Sequence, residues 1–317
     1  MGGTPVAYLN ISTSALRKGT AVSILSCASY AGMVVFLRYA YQAGILPGTA
    51  VFLRFAIASI TLILALTLSR RWVNLPRRRV APLMLLGLIA YTLLGTTWFV
   101  ALSATPAWLV SLIVALYPLT VNVGSWLFLK EPIQRQQVAA LAAALLGAVV
   151  LFWRPFVGAN WLGVALMLVN VAVNTTYILV GQRWTQGIPP TVSTAWMMAG
   201  ATVGAFFYAL LSGQFSIAFA PAGWLWATLF AVISTALAIT TFWWGVSLIG
   251  AARAAIIGSL EPLGAILLSV IVLGERLSPL QIVGGAFILA GVLLVQWQPK
   301  TAPVKPSVVS QDADLVL

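Results

Sequence analysis

Glu261 lies in the middle of an apolar stretch, residues 251–273, and is followed directly by Pro262. It is the only glutamate placed at membrane depth. A carboxylate there costs roughly 2.5–3.5 kcal/mol on insertion scales, so it must face protein or a watery cavity. A group so placed suits the uptake and release of a proton, or contact with a substrate. Pro262 removes one backbone donor, frees the carbonyl one turn earlier and favours a bend. Gly258, with Ala254 and Ala265 at helical spacing, lets a second helix approach closely. The same geometry also fits a structural carboxylate that pairs with Arg253, Arg38 or Arg54, or that holds two helices together.

Asn170, Asn174 and Tyr177 follow i, i+4, i+7 spacing and form one polar stripe on a helix. Amide and hydroxyl groups can read the carboxylate or ammonium of a zwitterion without the cost of a buried charge. They serve equally as interhelical hydrogen bonds, each worth about 1 kcal/mol or less. Ser26 and Tyr30 occupy the positions that a repeat would assign to Asn170 and Asn174 in the first half. Tyr91 and Trp98 stand seven apart with Gly95 between them. Trp98-Phe99 falls on the same repeat position as Phe242-Trp243. Turned inward, Trp98 and Trp243 build an aromatic wall; turned outward, they belong to the interfacial belt that Trp72, Trp153, Trp161, Trp184, Trp224, Trp226 and Trp297 mark at the ends of the apolar blocks. Arg54 and Arg38 most simply snorkel to the outer surface, or else bind a carboxylate. Arg253 stands at the mouth of its apolar block, where it can attract anions or hold a gate.

Catalysis lacks its parts. The chain has no histidine and one cysteine, Cys27, so it carries neither a nucleophile–base pair nor an intrachain disulfide. No metal-ligand cluster, glycine-rich phosphate loop or pair of intramembrane carboxylates can be read, and neither a cofactor nor a metal is expected. No ring of acids or carbonyl filter points to a channel.

The elements that must position these residues are membrane helices. Apolar residues make up 61% of the 317 and charged residues 7%, too few to cover a water-soluble surface of this size. They arrive in ten blocks of about twenty, near 20–41, 49–69, 80–101, 105–128, 134–153, 159–181, 190–212, 222–248, 251–273 and 280–298. Arg17 and Lys18 introduce a first block too long for a signal peptide, so it is expected to stay in the mature protein. The net charge of +12 comes from loops, without a basic stripe for nucleic acid. With the amino terminus inside, thirteen of the 17 basic residues fall on inner segments, against Arg38, Arg154 and Arg276 outside. Both termini are therefore expected in the cytoplasm.

Residues 107–152 are written again at 251–296. Pro118 recurs as Pro262, Glu131 as Glu275, Gln137 as Gln281 and Gly147 as Gly291, all 144 residues apart. Each half holds five spans, an odd number, so the second must enter the membrane inverted. The expected fold is all-α: ten transmembrane helices as two inverted five-helix repeats. Residues 1–18 form a cytoplasmic segment, 19–153 and 159–298 the repeats, and 299–317 a proline-containing disordered tail.

Leu116-Tyr117-Pro118 through Lys130-Glu131-Pro132 and Leu260-Glu261-Pro262 through Gly274-Glu275-Arg276, each followed by a helix with a late glycine, resemble the drug/metabolite transporter superfamily in its ten-helix EamA-type branch. The resemblance covers nearly the whole chain. It implies a carrier of small metabolites in a bacterial inner membrane, most often an exporter, working by alternating access. One departure stands out: Tyr117 precedes the first proline where Glu261 precedes the second. Uncharged hydrogen-bonding groups, aromatic residues and few intramembrane charges fit an amino acid, apolar or aromatic, as substrate. A multidrug exporter and a lipid flippase are the alternatives. The expected partners are the substrate and the bilayer, with proton coupling or substrate contact at Glu261, uniport being equally open, and hinges at Pro118, Pro262 and Gly258.

Overall fold

A computed structural model describes residues 13–105, 107–131, 133–151, 160–273 and 278–296. The described residues are helical and contain no strand. The helices are α1 (Thr13–Gln42), α2 (Pro47–Leu68), α3 (Arg77–Ala104), α4 (Ala107–Val114), α5 (Tyr117–Leu129), α6 (Arg135–Leu151), α7 (Trp161–Trp184), α8 (Pro190–Leu211), α9 (Ala222–Ala231), α10 (Ala238–Ile249), α11 (Ala251–Gly258), α12 (Glu261–Leu273) and α13 (Pro279–Gln296). A six-residue π-helical segment, Val232–Leu237, joins α9 to α10. Seven stretches are long and apolar enough to cross a membrane: α1, α2, α3, α7, α8, the α9–α10 run and the α11–α12 run. The apolar helices α6 and α13, with 17 and 18 residues, and the broken α4–α5 pair complete the ten. The tail at 299–317, Arg154 and the Glu275-Arg276 pair lie outside the described residues.

Local chemistry sets the helix starts. Pro47 and Pro190 open α2 and α8, where a missing N–H costs nothing. Asn160 caps α7 by accepting from the Leu162 amide. In both halves a glutamine reaches back over the first turn. The Gln134 amide donates to Gln137 Oε1, and the Ser278 amide to Gln281 Oε1, each at 2.8 Å. These residues are repeat mates, so α6 and α13 begin in the same way.

The packing has the same symmetry. α1 lies on α10 as α7 lies on α3, and α1 meets α12 as α7 meets α4 and α5. α2 packs on α9 as α8 packs on α3, while α2 and α8 face each other, as do α6 and α13. Between α6 and α13 a Cβ at Gly147 would come within 2.6 Å of the Gly284 carbonyl oxygen, and one at Gly291 within 2.6 Å of that of Ala140. These pairs exchange under the repeat. Bilayers offer no hydrophobic drive to bring helices together, and close backbone approach through small residues supplies the contact instead.

Two features depart from uniform spans. α1 is helical from the first described residue, Thr13, several residues before the apolar block. The fourth span is two helices, interrupted at Ala115-Leu116.

Candidate functional site

Both broken spans break at the same repeat position. Pro118 and Pro262 cannot donate to the carbonyls of Val114 and Gly258, and α4 and α11 end at those two residues. Tighter turns bridge the gaps: the Leu116 amide donates to Ile113 and the Leu260 amide to Ile257, both at 3.0 Å. α5 then begins at Tyr117 and α12 at Glu261, the departure between the halves. The Tyr117 hydroxyl crosses between the two spans and donates to the Ala255 carbonyl at 3.2 Å. It passes directly over Gly258, where any Cβ would collide with it.

Glu261 therefore starts a helix at mid-span, half-buried and without a hydrogen-bond partner. A carboxylate at a helix N-terminus also gains from the dipole. Arg54 of α2 acts on it electrostatically, without a direct ion pair, and Glu261 in turn acts on Cys27, Tyr30 and Tyr117. Arg54 turns into the bundle. Its Nε donates to Thr235 Oγ1 at 2.9 Å, and its guanidinium lies 5.0 Å from the Phe230 ring centre and 5.1 Å from that of Phe55. The expectation that it snorkels outward is corrected: the π segment offers an acceptor across the bundle and two aromatic faces accept the charge.

Next to this pair stands a chain of rings. Phe55 contacts Tyr91 at 4.9 Å, Tyr91 contacts Tyr177 at 5.2 Å, and Tyr177 contacts Trp243 at 5.4 Å between centres. The Tyr91 and Tyr177 hydroxyls share a 2.8 Å hydrogen bond, and Trp243 Nε1 donates to the Tyr177 oxygen at 2.9 Å. Trp243 is 1% exposed and lies over Gly181, whose missing side chain makes room for the indole. It is thus part of the aromatic wall and not of the interfacial belt. Val51, Phe55, Tyr91, Gly95 and Tyr208 line a small cavity beside the wall. Thr92 and Tyr208 also line a shallow, open apolar groove between α3 and α8.

The model of the EamA-like transporter family matches residues 17–153 and again residues 161–297. The chain belongs to the EamA-like transporter family. A stretch of 71 residues is 42% identical to an uncharacterized transporter of Archaeoglobus fulgidus, covering 22% of this chain and 26% of that protein. A solved crystal structure superposes with a TM-score of 0.73 at 18% identity, over 88% of this chain and 96% of the other. That likeness speaks for the fold.

In this EamA-like transporter the residues singled out in sequence separate into two groups. Tyr91, Tyr177 and Trp243 are joined by ring contacts and hydrogen bonds, Tyr30 packs on the same core, and Glu261 acts electrostatically on Tyr30. Others are spent on packing: Asn170 gives its amide hydrogens to the Leu94 carbonyl at 2.9 Å and to Thr97 Oγ1 at 2.7 Å, binding α7 to α3. Ser26 donates to the Ala238 carbonyl at 2.7 Å, binding α1 to α10. Trp98 packs on a separate cluster with Ala101, Met167 and Val171. Asn174 is half-buried and makes no hydrogen bond. Arg54, for which sequence left surface snorkelling, carboxylate binding and pairing with Glu261 open, and Tyr117, marked only as the repeat mate of Glu261, lie beside the first group.

At the end of the bundle that carries Arg70, Arg71 and Arg77–Arg79, side chains bridge the spans. Gln182 donates to Glu131 Oε1 at 2.7 Å and accepts from the Ala251 amide at 2.7 Å, so one side chain ties the α5–α6 loop to the start of α11. Arg253, 8% exposed, donates to Gln134 Oε1 at 3.2 Å. Burial raises the Glu131 carboxyl above its ordinary value, against the opposing effects of the Gln182 bond and Arg253.

Proposed function

We propose that this transporter exports a small metabolite, an amino acid with an apolar or aromatic side chain, across a bacterial inner membrane by alternating access. The observation that carries the reading is Glu261: an unpartnered carboxylate at a mid-span helix break, in the field of Arg54 and beside an aromatic wall. A zwitterion with a ring matches all three features at once. The basic end of the bundle is the cytoplasmic one under the positive-inside rule, which places both termini inside. The two breaks are the hinges, since Pro118, Pro262 and Gly258 leave the helices uncoupled there. Protonation of Glu261 and substrate binding then compete for one carboxylate, which couples export to inward proton flow. The reading includes no covalent chemistry.

Purified protein in liposomes, offered a labelled amino-acid panel with and without a pH gradient, tests this. Saturable uptake of one apolar or aromatic amino acid, competed by unlabelled substrate and altered by the gradient, is the expected result. A second reading, export of drugs or other toxic compounds, is favoured by the apolar groove between α3 and α8. Uptake of hydrophobic drugs with none of any amino acid would select it. Movement of labelled lipid between leaflets, with neither solute transported, would point to a flippase instead.

A further inference from the structure

Arg54 is eight residues into α2, about 10 Å from the start of the helix at 1.5 Å per residue. A guanidinium keeps its proton in any protein environment, so a cation stands permanently at this depth. Its five N–H groups form a planar fork. One of them, on Nε, meets an oxygen, Thr235 Oγ1. The others find only the Met33 sulfur, 3.7 Å from Nη1 and a weak acceptor. The terminal edge of the fork is thus without an oxygen partner.

Thr235 is built for the remaining contact. The π segment turns its hydroxyl toward the Phe230 carbonyl five residues back, to which it donates at 3.1 Å. Its hydrogen is committed there, so toward α2 the oxygen can only accept. That orients the guanidinium through Nε, with the Phe55 and Phe230 rings 5.1 and 5.0 Å from its central carbon, and leaves the terminal nitrogens without an oxygen partner. Two parallel N–H groups at the end of a fixed fork are the geometry that a carboxylate takes up in bidentate fashion. π-helical insertions occur often at functional sites.

We propose that Arg54 is a carboxylate-binding subsite of the mid-span region between the Glu261 helix break and the aromatic wall, with Thr235 as the residue that positions it. The subsite rests on the reading of that region as the substrate site. An amino acid bound here sets its carboxylate on Arg54 and its ammonium toward Glu261. Its ring then extends along Phe55, Tyr91 and Tyr177, the wall that begins at the residue next to Arg54.

Three ring compounds that carry both charged groups, the acid alone and the amine alone test this: phenylalanine, phenylacetate and phenethylamine. Thermal unfolding of the purified full chain is followed as each is titrated. Wild type is expected to be stabilised by phenylalanine and by phenylacetate. Arg54→Gln should lose the phenylacetate response, require about tenfold or more phenylalanine, and keep its response to phenethylamine. Arg54→Lys should retain part of the acid response. Thr235→Val should lower the ratio of acid to amine response, which a purely structural role would not change. Should Arg54→Gln show no cooperative unfolding, Arg54→Lys and Thr235→Val carry the comparison.

An unchanged phenylacetate response in Arg54→Gln overturns the subsite. So does equal loss of acid and amine responses, which would make Arg54 a counter-ion of Glu261 only. A wild type that answers to phenethylamine and not to phenylacetate removes the subsite and leaves the substrate-site reading standing. No response to any of the three overturns both.

Discussion

Polar residues at membrane depth meet two fates in this chain, and Asn170 and Glu261 show the contrast. Asn170 is 5% exposed, with its amide hydrogens engaged by α3, while Glu261 has no hydrogen-bond partner. Asn170→Ala should therefore cost stability, about 1 kcal/mol by the range for intramembrane hydrogen bonds, and leave substrate affinity unchanged. Denaturant unfolding in detergent paired with a binding titration checks both halves. Glu261→Gln should do the reverse, preserving the fold while abolishing substrate-driven proton flux and flattening the rate between pH 5 and 8. Normal transport with normal proton flux in that variant would remove Glu261 from the coupling step. The value of a carboxylate beside a proline was legible in sequence. The inward turn of Arg54 was only one of the readings sequence left open, since its acceptor lies 181 residues away on another span. The turn of Trp243 was left equally open, because the space it fills is the missing side chain of Gly181.

At the scale of elements, the breaks carry the account. Gly258 and Tyr117 form a tight crossing of the two broken spans, and the collision at an added Cβ is with the hydroxyl oxygen first. Gly258→Ala should destabilise by about 1–3 kcal/mol through overpacking, and Tyr117→Phe should recover part of it. Thermal unfolding of the single and double variants reads the compensation, and additive losses would contradict it. The bridged end makes a prediction of its own. Burial makes Glu131 hold its proton more tightly when the bridges are made than when water enters. Acidification therefore favours the bridged arrangement, and the preference is lost as pH rises through the raised value. Spin labels on Lys130→Cys and Ser247→Cys, in a Cys27→Ala background, should show a longer separation at high pH, and Glu131→Gln should abolish the change. The breaks could be anticipated from Pro118 and Pro262. Nothing announced the π segment, since Val232–Leu237 contains neither proline nor glycine and its conformation depends on what α1 and α2 pack against it.

For the molecule as a whole, the repeat set what could be foreseen. Identical residues 144 apart, Pro118 with Pro262 and Gly147 with Gly291, mark positions where the backbone must bend or touch. Such positions repeat in both halves because the same contacts are made twice. Residues beside the breaks are freer to differ, and Tyr117 against Glu261 is the clearest case. Two inverted halves meeting at paired breaks can exchange their open and closed ends with little loss of contact, which is the physical basis for alternating access. Counterflow in liposomes tests that claim most directly. Vesicles loaded with an unlabelled amino acid that the protein transports should take up trace labelled substrate transiently above equilibrium, faster than empty vesicles do. Labelled uptake that is indifferent to substrate on the far side, rising linearly with concentration, would contradict a carrier that exposes one central site to each face in turn.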